Sequence, residues 1–153
     1  MGFNGISRET FYKTIPYNEL QKYKGNCWAA TTSVMLRLKG VQVTQKEVTS
    51  LFFNHRFVGL GKDELNEIAR FFNKYILSKK GKEMKGFDGW EHLKKYVDML
   101  PAVVFIKKHF IVMLGYNDDT DSIFYWDPWL GELKNTNTGG FNNLEASLSW
   151  SIM

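Results

Sequence analysis

Apolar positions in residues 27–39 recur at helical spacing. Cys27, Ala30, Thr31, Val34, Met35 and Leu38 fall three and four apart, which puts them on one face of a helix that Gly40 stops. Thr44 and Glu47 form a capping-box pattern that predicts a short second helix, with Val48, Leu51 and Phe52 turned inward. After the glycines at 59 and 61, Leu65, Ile68, Ala69 and Phe72 carry the stripe of a third helix beginning near Lys62 and Asp63. Asp88 with Glu91 repeats the capping box and predicts a fourth helix. Trp90, Leu93, Val97 and Leu100 would share its inner face, and Pro101 would end it.

Beyond Pro101 the period changes. Residues 102–106 and 110–116 are apolar runs rich in Val, Ile and Phe, and Ser122 to Trp126 is another, set off by the polar stretch from Asn117 to Asp121. These read as antiparallel strands. Leu148 to Ile152 is expected to add an edge strand, and Gly131 to Asn143, with its Gly and Asn, is expected to be loop. Helices first and a sheet second is the segregated α+β layout, with no internal repeat. A chain of 153 residues with no linker-like stretch is expected to form a single domain over residues 1–153.

Composition narrows what such a domain can be. With 44% hydrophobic and 24% charged residues the chain can fill a core, which argues against disorder. A single cysteine, Cys27, excludes an intramolecular disulfide and any multi-cysteine metal site, so no metal or other cofactor is expected. The net charge of +4 is spread out, and the densest run, Lys79-Lys80-Gly81-Lys82 with Lys85, is broken by Glu83 and reads as a solvated loop. No nucleic-acid partner is expected. Neither a secretory signal nor a run of 18 apolar residues is present, which predicts a soluble chain without membrane insertion, cytoplasmic or exported by a dedicated secretion system.

The chemistry concentrates around Cys27. A thiol in the first turn of a helix faces unpaired N–H groups and the positive dipole end, which favour the nucleophilic thiolate. A base must complete the activation, and His109, at the head of the strand through Tyr116, is the best placed of three histidines. His92, beside Glu91, and His55, beside Arg56, read more simply as exposed side chains. A third group must orient the imidazole, and Asp127, ending a strand and braced by Pro128, is the candidate, although an Asp before Pro also commonly initiates a turn. Tyr125, Trp126 and Trp129 could line a substrate cleft or fill the core, and the core is favoured.

Gln21, six residues before Cys27, together with Gly25 and the run Cys27-Trp28-Ala29-Ala30, resembles the papain-like cysteine peptidases. The resemblance implies a papain-like α+β fold and an oxyanion hole made by the Gln21 side chain and the Cys27 N–H. His109 follows Cys27 by 82 residues and Asp127 follows His109 by 18, a spacing similar to two compact bacterial groups. One group is the injected effector peptidases and the other is the peptidase domains that trim bacteriocin leaders. Both carry a His-Phe strand ending in Gly-Tyr and then an Asp-Pro pair, as in His109-Phe110 to Gly115-Tyr116 and Asp127-Pro128. Trp28 favours the effector group. Lys107 and Lys108 stand before His109, where the family often has Gly.

The implied activity is hydrolysis of a protein or peptide substrate through an acyl-enzyme, by an effector, toxin or processing peptidase. Trp28, Trp126 and Trp129 are the candidate substrate contacts. A cognate inhibitor or delivery partner would limit the activity. The same residues also serve glutamine deamidation and other acyl transfers, and a catalytically silent binding module is the third reading.

Overall fold

The chain opens with a three-residue strand, β1 (Phe3–Gly5), and a short helix, α1 (Arg8–Thr14), and then reaches the long helix its apolar spacing predicts, α2 (Cys27–Leu38). Two more helices follow, α3 (Gln45–Leu51) and α4 (Lys62–Phe72). The rest is mainly sheet: β2 (Met84–Phe87), β3 (Ala102–Ile106), β4 (His109–Asn117), β5 (Ser122–Asp127), β6 (Glu132–Thr136) and β7 (Ser149–Ile152), with α5 (Thr138–Asn143) between the last two strands. This computed structural model describes residues 2–19, 27–51, 62–107 and 109–152. The expectations for Gln21, Phe52 and His55, and those for the side chains of Leu51, Leu65, Ile68 and Val97, lie outside the described residues.

The sheet is antiparallel throughout, in the order β2-β7-β3-β4-β5-β6. β4 is its axis. β3 pairs with residues 109–113 of β4, and β1 continues that side over residues 115–117. The two glycines at this junction allow close approach. Gly5 faces Gly115 in the register, and a Cβ on Gly115 would stand 2.4 Å from the Phe3 ring, closer than any real contact.

One apolar cluster joins α2 to the sheet through Val103, Phe110, Val112, Leu114, Trp126 and Trp150, while a second gathers Trp90, Leu93, Met99, Leu100 and Phe141 against Val104, Ile111, Met113 and Tyr125. α2 lies so deep that every residue from Cys27 to Leu36 is buried, not only its predicted stripe. Two of its buried hydroxyls find carbonyl partners, while Thr32 Oγ1 has none. Thr31 Oγ1 donates to the carbonyls of Cys27 (2.7 Å) and Trp28 (3.1 Å), and Ser33 Oγ donates to the Val43 carbonyl at 2.5 Å. The Thr44 cap forms as expected, its Oγ1 accepting from the Glu47 N–H at 3.1 Å.

Three expectations are corrected. The fourth helix is instead two 3₁₀ turns, Glu91–Lys94 and Val97–Met99. Trp90, Leu93 and Met99 are buried at intervals divisible by three, the 3₁₀ period. Side chains of β7 also take carbonyls of this stretch: Ser149 Oγ donates to Gly89 O at 2.6 Å, and Ser151 Oγ donates to Met99 O. β7, expected at an edge, is internal, because the unforeseen β2 pairs along its outer side. Residues 131–143 are not loop. β6 pairs with β5, and Asn137, read as a loop residue, caps α5 by accepting from the Gly140 N–H at 2.7 Å. β1 and α1 carry no expectation from the sequence. Ser7 caps α1, and its single buried residue is Phe11.

Candidate active site

Cys27 is the first residue of α2, His109 the first of β4 and Asp127 the last of β5. β4 and β5 are antiparallel neighbours, so the start of one and the end of the other meet at the same edge of the sheet. There the His109 Nε2–H donates to Asp127 Oδ1 at 2.8 Å, with the two side chains 22% and 15% exposed. Cys27, itself buried, is among the groups that favour the protonated form of the same imidazole. A thiol at a helix N-terminus and a carboxylate at a strand end thus both bear on one ring.

Asp127 is held by more than its histidine. Oδ1 also accepts the Trp129 N–H at 2.9 Å, an Asx turn that opens the β5–β6 hairpin, so the turn role and the contact with His109 belong to one carboxylate. Lys134 Nζ, from β6, approaches Oδ2 at 3.4 Å. Burial pushes the Asp127 carboxyl up, but the bonds from His109 and the Trp129 N–H, with the charges of His109 and Lys134, outweigh it and hold the group below its ordinary value. For His109, burial favours the neutral ring. The hydrogen bonds to Asp127 and Cys27, with their charges, prevail and raise it to about 9.

His92 contrasts with both the expectation and His109. It is half-buried rather than exposed, with its ring 4.4 Å from that of Phe87. The tryptophans separate as well. Trp28 and Trp126 are 5% and 1% exposed, inside the core, whereas Trp129 is 56% exposed in the turn after Asp127. A substrate can reach Trp129 but not Trp126. Lys134 escaped the sequence reading because it lies in the stretch taken for loop. Reading Asp127–Gly131 as a hairpin turn would have found it, since the strand register sets Lys134 opposite Tyr125, two residues before Asp127.

A buried helix with a cysteine at its N-terminus, packed on an antiparallel sheet that supplies a histidine and an aspartate from adjacent strands, has the layout of the papain-like fold. The chain is similar in fold to the peptidase domain of Streptococcus ComA, a bi-functional ABC transporter involved in a quorum sensing pathway. That match has a TM-score of 0.64 at 16% identity and covers 87% of this chain and 94% of that one. A second similar structure is the N-terminal peptidase C39 like domain of the toxin secretion ATP-binding protein from Vibrio parahaemolyticus, at 15% identity and a TM-score of 0.49, covering 76% and 86%. No curated protein matches the sequence. Residues 11–153 match the Peptidase_C39 like family, and the chain belongs to this family of papain-like cysteine peptidases. Among the described residues no helix is long and apolar enough to cross a membrane.

Proposed function

We propose that the protein hydrolyses peptide bonds by a Cys27-His109-Asp127 triad. The observation that carries this reading is the His109 imidazole, bonded at 2.8 Å to Asp127, with a thiol at the first residue of α2 also favouring its protonated form. Cys27 Sγ attacks the scissile carbonyl as the thiolate while His109 holds the proton. The Cys27 N–H and the Gln21 side chain steady the oxyanion, and His109 gives its proton to the leaving amine as the C–N bond breaks. Water, activated by His109, then releases the acyl group and restores the thiol. Asp127 keeps the ring turned toward the thiol throughout. Trp129 offers an exposed apolar wall beside the site.

On this reading residues 1–153 are one peptidase domain acting on a protein or peptide substrate. The C39 match supports a processing peptidase over a free effector or toxin, with a delivery or carrier partner limiting access. The test is mass analysis of candidate proteins incubated with the wild type and with Cys27→Ala. New N-termini that depend on Cys27 are expected. A gain of about one dalton at glutamines without cleavage would replace hydrolysis by deamidation at the same thiol. No Cys27-dependent change at all would leave a silent binding module.

A further inference from the structure

Oδ1 of Asp127 serves His109 and the turn, while Oδ2 faces the Lys134 ammonium at 3.4 Å. We propose that Lys134 is a positioning residue that offsets the negative charge of Asp127, so that His109 is oriented by a carboxylate without holding its proton too tightly to release it. This rests on the peptidase reading of His109 and Asp127 given above.

The physical problem is one of balance. A full carboxylate bonded to a partly buried imidazole stabilises the imidazolium strongly, which favours the ion pair with the Cys27 thiolate but opposes protonation of the leaving amine. A cation on the far oxygen withdraws part of that field without breaking the 2.8 Å bond. Lys134 is suited to this, because its side chain is 35% exposed and its charge costs little to hold, while the carboxylate it meets is 15% exposed. The groups that bear on His109 are Cys27 from α2 and Asp127 from β5; those on Asp127 are His109, Lys134 and the buried Tyr125. Two further charged residues stand near in the chain: Glu132, opposite Asp127 in the register, and Lys107, before β4, and both are exposed.

The test is an NMR titration of the His109 ring in a Cys27→Ala background, which removes the second titrating partner. Lys134→Met should move the His109 midpoint upward by roughly half a pH unit, and Lys134→Arg should restore it. In an Asp127→Asn background the same Lys134→Met change should move the midpoint by less, since no carboxylate then holds the ammonium beside the ring. Should the Met variant not fold, Lys134→Gln serves, and raising salt on the parent chain should itself move the midpoint upward as the exposed ammonium is screened. An unmoved or lowered midpoint in a folded Lys134→Met protein overturns the proposal. So does an equal upward move in the Asp127→Asn background. These readouts use no substrate, so failure of the peptidase reading appears separately, as the absence of Cys27-dependent cleavage.

Discussion

His109 and His92 are the same residue in two partly buried places, and the structure drives them in opposite directions. His92 packs against Phe87, its Nε2 is buried without a hydrogen-bond partner, and burial lowers its pKa from the ordinary value. His109 also suffers burial, yet Asp127 and Cys27 overturn it and raise the group to about 9. Burial alone makes a histidine a neutral wedge. The same burial with a carboxylate bonded to one nitrogen favours the protonated ring instead.

The sharpest way to break this contrast is to delete each ring. His109→Ala should cut Cys27-dependent hydrolysis by about 10²–10⁴-fold, the range for a lost general acid–base. His92→Ala should leave hydrolysis close to the parent value. Loss of activity in a folded His92→Ala protein would assign the base to the wrong histidine.

A smaller effect separates the charge of Asp127 from its geometry. Asp127→Asn keeps an oxygen for the His109 N–H and for the Trp129 N–H and should retain partial activity, whereas Asp127→Ala loses both bonds and should fall much further. Equal full activity in the two variants would return Asp127 to a turn residue alone.

The helix bearing Cys27, the strand bearing His109 and the strand ending at Asp127 were all legible, because each is a long apolar run with one period and a clear stop. The places of Cys27, His109 and Asp127 were legible for the same reason, since these residues mark the ends of those runs. What was not legible depends on partners distant in sequence. Residues 88–101 carry a helix pattern, but Ser149 and Ser151 bond to the Gly89 and Met99 carbonyls at its two ends, and only the placement of β7 reveals that. β6 has one apolar residue, Leu133, and is a strand because β5 offers it a ladder. Lys134 was hidden with it, so the missing strand and the missing site residue are one omission.

The two histidines should also tilt stability against pH in opposite senses. His109, raised in the fold, contributes stability that is complete below its unfolded value near 6.5 and is lost as pH rises toward about 9. Urea unfolding from pH 6.5 to 9.5 should therefore show a decline on the order of 1–3 kcal/mol, discounted for a ring 22% exposed, and His109→Ala should flatten it. The same slope in both proteins would remove the partners' role.

The smallest effect belongs to His92. Its lowered value means that the fold prefers the neutral ring, so its contribution is present above the unfolded value and is lost as pH falls through it. A buried nitrogen without a partner is already a cost, and replacing a polar group of this kind by an apolar one of similar size is close to neutral or slightly stabilising. His92→Leu should accordingly change stability at pH 7.5 by no more than about 1 kcal/mol in either direction while keeping contact with Phe87. At pH 5 it should be the more stable protein, because a leucine has no proton to take up. Urea midpoints of the two proteins at both pH values measure this directly. A His92→Leu protein that loses several kcal/mol at pH 7.5 would mean that the Nε2 has a partner in solution, and the contrast with His109 would then be one of degree.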